Sequence, residues 1–271
     1  MDAQGELLPY LSAIVPFHRI SDLPRVETWI LEAIATQIEI ILVLDSLTAE
    51  EVVLIKKTLG GPNSYLKIIE GVFGSAAKAR NQGMTVASAE WITFWDADDL
   101  PETQKSLQVL SLAGNSKAIR TAFKRKSTTE EKLLKSEIKC AREREVNIAN
   151  VINLADDPGL WRWFFDRTLA QKHSFPEIIM AEDQIYLIRI LSNLHAYSDL
   201  PIVTYQYNDL NDCAVTKISY QPRLFLKSMF IALKEITQQD NKALKLFLVI
   251  LSFRLFRSAI KATVTFKRGE K

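Results

Sequence analysis

Apolar residues in the first hundred positions follow two alternating rhythms. Short continuous runs at Leu11 to Phe17, Glu39 to Leu44, Tyr65 to Glu70 and Glu90 to Trp95 have the length and composition of buried strands. The stretches between them keep helical spacing. In "SDLPRVETWILEAIA", Leu23, Val26, Trp29, Ile30, Ala33 and Ile34 share one face, with Ser21 or Asp22 placed as the N-cap. Thr48 and Glu51 form a capping-box pattern for a helix to Leu59, which Gly60, Gly61 and Pro62 stop. Gly71 to Ser75 reads as a turn, and Ala76 to Ser88 as a helix of small residues. This alternation predicts an α/β fold with a mainly parallel sheet flanked by helices. Ligands of such sheets bind beyond the carboxyl ends of the strands.

Further along, Ala118 to Phe123 and Ile202 to Tyr207 read as strands, and Ala181 to Leu194 as a helix. "LWRWFFDR" alternates like a strand. Its Trp161 and Trp163 fit either a sugar-stacking wall or, more ordinarily, an aromatic core face. Lys124 to Arg144 is dense in charge and predicts a solvated helix or loop. From Gln221 onward the pattern is wholly helical, so the expected division is 1–220 and 221–271.

Composition narrows the class. The 271 residues suffice for a full core, and a net charge of +2 gives no ground for nucleic-acid binding. Cys140 and Cys213 lie far apart in no metal-ligand spacing, which points to a reducing, cytoplasmic setting. The N-terminal "MDAQGELLPYLSAIV" has acids where a signal peptide needs bases, and no apolar run reaches the ~20 residues of a membrane span.

The most specific chemistry lies in "WITFWDADDLPE". A hydrophobic strand delivers Asp96, Asp98 and Asp99 into a turn, and residues two apart on an extended chain point the same way. Converging carboxylates suit a hard divalent cation, magnesium or manganese, whose open positions phosphate oxygens fill. Such a cation stabilises the charge developing on a diphosphate leaving group. Asp99 has a simpler reading as the cap of a helix opening at Pro101 and Glu102.

An ordered series of motifs resembles family 2 glycosyltransferases of the GT-A fold. It comprises "SAIVPF", "EIILVLDSLTAE", "GSAAKARNQGMTVASAEWITFWDADD" and "FPEIIMAEDQIYLIRIL". The resemblance covers roughly 11–207. It implies a Rossmann-like donor-binding half over about 1–100, an acceptor-binding half over about 101–220 and a helical C-terminal extension. It also implies a nucleotide-sugar donor, a glycan or lipid-linked hydroxyl acceptor and inversion at the anomeric carbon.

The roles it implies run as follows. Asp45 contacts the base, and Pro16, Lys78 and Arg80 lie on the donor side. Asp96 sits by the ribose and sugar, Asp98 binds the metal, Asp183 is the catalytic base and Glu182 supports it. The residues alone leave plainer readings open: Asp45 as a turn residue, Arg80 as a surface helix residue, Gly74 and Ser75 as a mere turn, and Glu182 and Asp183 as acids favouring a helix dipole.

The chain departs from the family pattern at three points. Leu44 and Ser46–Leu47 replace an aspartate and a Gly-Ser pair, "YQYNDLNDCAVTK" lacks a histidine, for which Asn208, Asp209, Asn211 or Lys217 could stand in, and His18 stands where a Tyr-Asn pair is common. The first two departures keep alive the reading of a degenerate nucleotide-sugar-binding protein. The other alternative, a nucleotidyltransferase acting on a sugar phosphate, usually has a glycine-rich loop after the first strand, and "PFHRISDLPR" has no glycine. In the C-terminal extension Leu244, Phe247, Leu248, Leu251 and Leu255 recur at helical spacing beside Arg254, Arg257 and Lys261. That face fits a membrane surface at the inner leaflet or, equally, packing on protein, including a homodimer.

Overall fold

The computed structural model of the protein describes residues 9–126, 140–156, 158–178, 180–208 and 222–269. Asp209, Asn211, Cys213, Lys217 and most of the charged stretch after Lys126 lie outside the described residues. The chain divides into two compact units. The first holds 1–143, 161–174 and 197–210, and the second 144–160, 175–196 and 211–271. The stretch between Glu143 and Leu210 is thus shared between the two units.

The first unit opens with the expected alternation: β1 (Leu11–Phe17), α1 (Leu23–Ala35), β2 (Glu39–Asp45), α2 (Ala49–Thr58), β3 (Leu66–Gly71), α3 (Ala76–Val86) and β4 (Trp91–Phe94). It continues through β5 (Leu100–Pro101), α4 (Thr103–Ser111) and β6 (Ala118–Lys126). After β7 (Arg142–Glu145) and α5 (Ile148–Asp156) come β8 (Trp163–Asp166), α6 (Arg167–Ala170), α7 (Glu182–Leu191) and β9 (Ala196–Asn208). The chain closes with α8 (Pro222–Gln238) and α9 (Lys242–Gly269).

The sheet order is β3-β2-β1-β4-β8-β6-β9-β5. The first four strands are parallel, as βαβ crossovers require. Beyond β4 the sheet is mixed: β8 runs antiparallel to β4 and β6, β9 is parallel to β6, and β5 is antiparallel to β9. "LWRWFFDR" is strand only from Trp163. Leu160–Arg162 is a 3-10 turn.

Local signals explain much of the first half. The Thr48 capping box forms in full. At α1 the N-cap is Asp22, but its carboxylate receives Arg19 at 2.9 Å and makes no capping bond. Pro16 lies past the end of the β1–β4 pairing, which stops at Ile14–Phe94, so its missing N–H breaks no ladder bond there. Helix α3 lies so close to the sheet that a Cβ on Gly83 would stand 2.5 Å from Cγ2 of Ile14. Only glycine allows that approach, and it presses the small-residue helix onto β1 and β2.

At the amino ends of the parallel strands, Glu39 is fully buried. It accepts hydrogen bonds from Ser12 Oγ, from Ser88 N at 2.9 Å and from Ser88 Oγ at 2.5 Å, and it pairs with Lys67 Nζ at 2.5 Å. These partners come from β1, β3 and the segment before β4, so one carboxylate ties four strands together.

In the second unit α8 and α9 pack against each other and α9 against α5. Arg189 of α7 pairs with Glu235 of α8, and Arg254 of α9 donates to the carbonyl of Ala155. Asn241 caps α9, accepting from Ala243 N at 2.8 Å. The apolar face singled out in the sequence, Leu244, Phe247, Leu248, Leu251 and Leu255, is buried in this packing.

Candidate functional site

Four parallel strands end at one edge of the first unit. The order β2-β1-β4 makes the gap between β1 and β4 a topological switch point, because the crossovers leave β1 in opposite directions. The residues just past those two strands meet there. Arg19 Nη2, two positions after β1, lies 3.5 Å from Asp98 Oδ2, just after β4. Arg25 of α1 donates to the Asp98 carbonyl at 3.0 Å.

Asp96 is held from the opposite side. Arg80 of α3 is nearly buried and reaches Asp96 Oδ1 at 2.8 Å. Burial raises the Asp96 carboxyl above its ordinary value; Arg80 opposes this, and the adjacent Asp98 charge reinforces it. Arg80 thus meets Asp96, while Asp98 is paired with Arg19.

Asp99 does not cap a helix. Helix α4 starts later, at Thr103, with Glu102 as N-cap. The Asp99 carboxylate instead accepts from Tyr205 Oη at 2.9 Å and from Asn208 N at 2.7 Å, both on β9. The same Tyr205 hydroxyl accepts the Asp96 N–H at 3.0 Å, and Asn208 Nδ2 donates to the Asp98 carbonyl at 3.2 Å. Burial pushes Asp99 up to about 8, the charges of Asp96 and Asp98 add to it, and the Asn208 N–H and Tyr205 hydroxyl work the other way. The acid turn is therefore pinned along β9.

Asp45 ends β2, and its carboxylate is spent on the loop between β3 and α3 and on the adjacent Ser46. Its Oδ1 accepts from Phe73 N at 2.7 Å, Gly74 N at 3.0 Å and Ser46 Oγ at 2.8 Å. Burial alone would raise this carboxyl, but the Gly74 and Phe73 N–H groups hold it below its ordinary value. The Gly74 N–H is thus directed at Asp45. Ser75 caps α3 by accepting from Lys78 N at 3.3 Å, and the Lys78 side chain is exposed.

Glu182 and Asp183 open α7 and belong to the second unit. The preceding Ala181 has φ 62°, a left-handed conformation costly for a residue with a Cβ. Asp183 Oδ1 accepts from Gln184 N at 2.8 Å. Ser46, directly after Asp45, also has φ 60°. Two of the three non-glycine residues with positive φ among the described residues thus adjoin acids expected to be functional.

Trp163 is core, fully buried and stacked on Phe165. Trp161 is only partly buried. It stacks on Tyr205 at 4.6 Å and on Tyr207 at 5.6 Å, beside the acid turn. Sequence reasoning missed Arg19, Arg25 and Tyr205. The switch-point rule would have found Arg19 as the charged residue following β1. Tyr205 is far from Asp99 along the chain and carries no local signal.

Among the described residues no group of three or more His, Cys, Asp or Glu side chains could hold a metal ion by itself. A magnesium-like ion needs only one or two protein carboxylates when phosphate oxygens complete its shell. Asp98 and Asp96 are the carboxylates here that could supply those ligands.

None of the curated proteins searched matches the chain. Solved structures do. Staphylococcus aureus TarS 1–349 in complex with UDP-GlcNAc is 19% identical with a TM-score of 0.69, over 95% of this chain and 73% of that one. A mannosyltransferase from Pyrobaculum calidifontis, in complex with GDP-Man and Mn2+, is 14% identical with a TM-score of 0.61, over 96% and 75%. At these identities the likeness establishes the fold, a mostly parallel α/β sheet of the GT-A kind. The sequence model of glycosyl transferase family 2 matches residues 12–150, just over half of the chain, and the protein belongs to that family.

Proposed function

We propose that this glycosyltransferase moves a sugar from a nucleoside diphosphate donor to a hydroxyl of a glycan or lipid-linked acceptor, with inversion at the anomeric carbon. The observation that carries the reading is the acid turn at the sheet's switch point, where Asp96 and Asp98 face Arg80 and Arg19. Arginine guanidinium groups suit diphosphate oxygens, and the carboxylates suit a divalent cation. Bound there through Asp98, manganese or magnesium supplies electrostatic stabilisation of the departing diphosphate. One structural neighbour in complex with UDP-GlcNAc and another in complex with GDP-Man and Mn2+ support the same reading.

The chain's own residues do the rest. Arg80 fixes Asp96 at the donor's ribose and sugar. Asp45 is already committed to the Phe73 and Gly74 N–H groups, so it shapes the base-side loop that Pro16 and Lys78 border. Asp183 takes the acceptor proton as the hydroxyl oxygen bonds to the anomeric carbon and the sugar–phosphate bond breaks. Glu182 supports it. The strained Ala181 backbone favours a positioned role for this pair. Cys140 and Cys213, far apart and in no metal-ligand spacing, support a reducing, cytoplasmic setting.

Incubation with a panel of UDP- and GDP-sugars, manganese and simple hydroxyl acceptors tests the reading. Nucleoside diphosphate should accumulate with one donor and a transferred sugar of inverted configuration. Release of pyrophosphate from a nucleoside triphosphate and a sugar phosphate would replace it with nucleotidyl transfer. Binding of a donor with no turnover on any acceptor would leave a degenerate binding protein.

A further inference from the structure

Helix α9 is apolar on two opposite faces. One face is the buried set described above. The other carries Val249, Phe253, Phe256 and Ile260, spaced four, three and four residues apart and therefore in one stripe. That stripe is open to water: Phe253 is 71% exposed, Ile260 50% and Phe256 47%. A two-faced apolar helix is normally covered on both sides, and a run of large exposed apolar side chains marks an interaction surface.

The charges around the stripe identify what covers it. On a helical projection Arg257 and Lys261 border one side, both exposed, and Lys245 lies toward the other. From Lys242 to Gly269 the sequence contains no aspartate or glutamate at all. The neighbouring α8 has the same character, with exposed Phe230 between exposed Lys227 and Lys234. A second copy of this chain meeting the stripe through a two-fold axis would bring cations against cations with no acid on α9 to pair them. An anionic lipid surface offers hydrocarbon for the phenyl rings and phosphate for the bases. No helix among the described residues is long and apolar enough to cross a membrane, so the contact is lateral.

We infer that α9 lies on an anionic bilayer surface through Val249, Phe253, Phe256 and Ile260, with Arg257 and Lys261 at headgroup level. This face differs from the one the sequence periodicity picked, which the fold consumes. The inference stands apart from the donor chemistry, so either can fail alone.

The test is flotation of the full chain with vesicles of phosphatidylcholine alone or with about one-third phosphatidylglycerol, at low and high salt. Wild type should float with anionic vesicles at low salt and not with neutral ones. Arg257→Gln/Lys261→Gln should cut the partition roughly 25-fold, from about fivefold per basic residue near an anionic leaflet. Phe253→Ser/Phe256→Ser should reduce it at every salt concentration. Circular dichroism and thermal melting show that both variants stay folded. No flotation of the folded wild type, or equal flotation of the Phe variant, overturns the inference. So does a wild-type dimer, seen by light scattering, that Phe253→Ser/Phe256→Ser converts to monomer, because the stripe is then a protein interface.

Discussion

Two acidic centres sit at opposite edges of the same parallel sheet and have opposite electrostatics. Glu39, at the amino edge, accepts from Ser12 and Ser88 and pairs with Lys67. Burial would raise its carboxyl, yet Lys67, Ser12 and Ser88 outweigh that and hold it below its ordinary value. The Asp96–Asp99 turn, at the carboxyl edge, has Arg80 and Arg19 for partners, but burial pushes Asp96 and Asp99 upward and the neighbouring aspartate charges add to it. A carboxylate whose donors all come from the fold is a structural tie. A buried acid cluster at strand ends whose carboxyls are pushed upward is a candidate ligand site.

The contrast is broken most directly by exchanging the effects. Asp98→Asn should lower transfer by roughly a thousandfold, the upper scale for losing one electrostatic contact to a developing charge. Its melting temperature should stay within a degree or two of wild type. A large loss of stability with activity per folded molecule intact would make Asp98 a structural tie like Glu39. Asp183→Asn keeps the shape but cannot take a proton, so turnover should fall roughly a hundredfold or more while donor affinity persists. Steady-state kinetics with the donor and acceptor varied separately decides it, and a wild-type rate would move the base elsewhere.

Glu39→Gln should do the reverse of Asp98→Asn. It leaves Lys67 without its carboxylate and weakens a buried network, costing about 2 kcal/mol, less than a fully buried pair because Lys67 is partly exposed. Activity per folded molecule should be unchanged. The pH dependence follows from the same bonds. Glu39 has a lower folded than unfolded value, so its contribution is complete above the ordinary 4.5 and disappears as the pH falls through the folded value. Denaturant midpoints measured from pH 6 to pH 3 should fall more steeply for wild type than for Glu39→Gln. The smallest effect belongs to Tyr205→Phe, which removes the bonds to Asp96 N and Asp99 Oδ2. It should cost about 1 kcal/mol and raise the manganese concentration needed for half-maximal activity. An unchanged manganese requirement would make Tyr205 a packing residue only.

The alternation from β1 to β4 was readable because each element carries its own period, caps and stops within a few residues. The acid turn was readable because three aspartates follow one hydrophobic strand. Glu39 was not. It opens a strand that otherwise reads as apolar, and its partners Ser12, Lys67 and Ser88 come together only when the strands do. The same holds for Asp99, whose local signal is a helix cap but whose carboxylate is taken by Tyr205 and Asn208 of β9. Helix α9 shows a third case. Periodicity finds an apolar face, and only packing tells that Leu248 and Leu251 are consumed by α5 and α8 while Phe253 and Phe256 are left outside.

The central claim is that the acid turn binds a divalent cation and a nucleoside diphosphate together. Thermal unfolding of wild type, Asp98→Asn and Glu39→Gln with UDP or GDP, with manganese or with chelator, tests it most directly. A ligand at a hundred times its Kd adds about 2.7 kcal/mol to the folded state. Wild type and Glu39→Gln should both gain thermal stability only when nucleotide and manganese are present together, and Asp98→Asn should gain none. An equal rise for Asp98→Asn, or for wild type in chelator, would contradict the account.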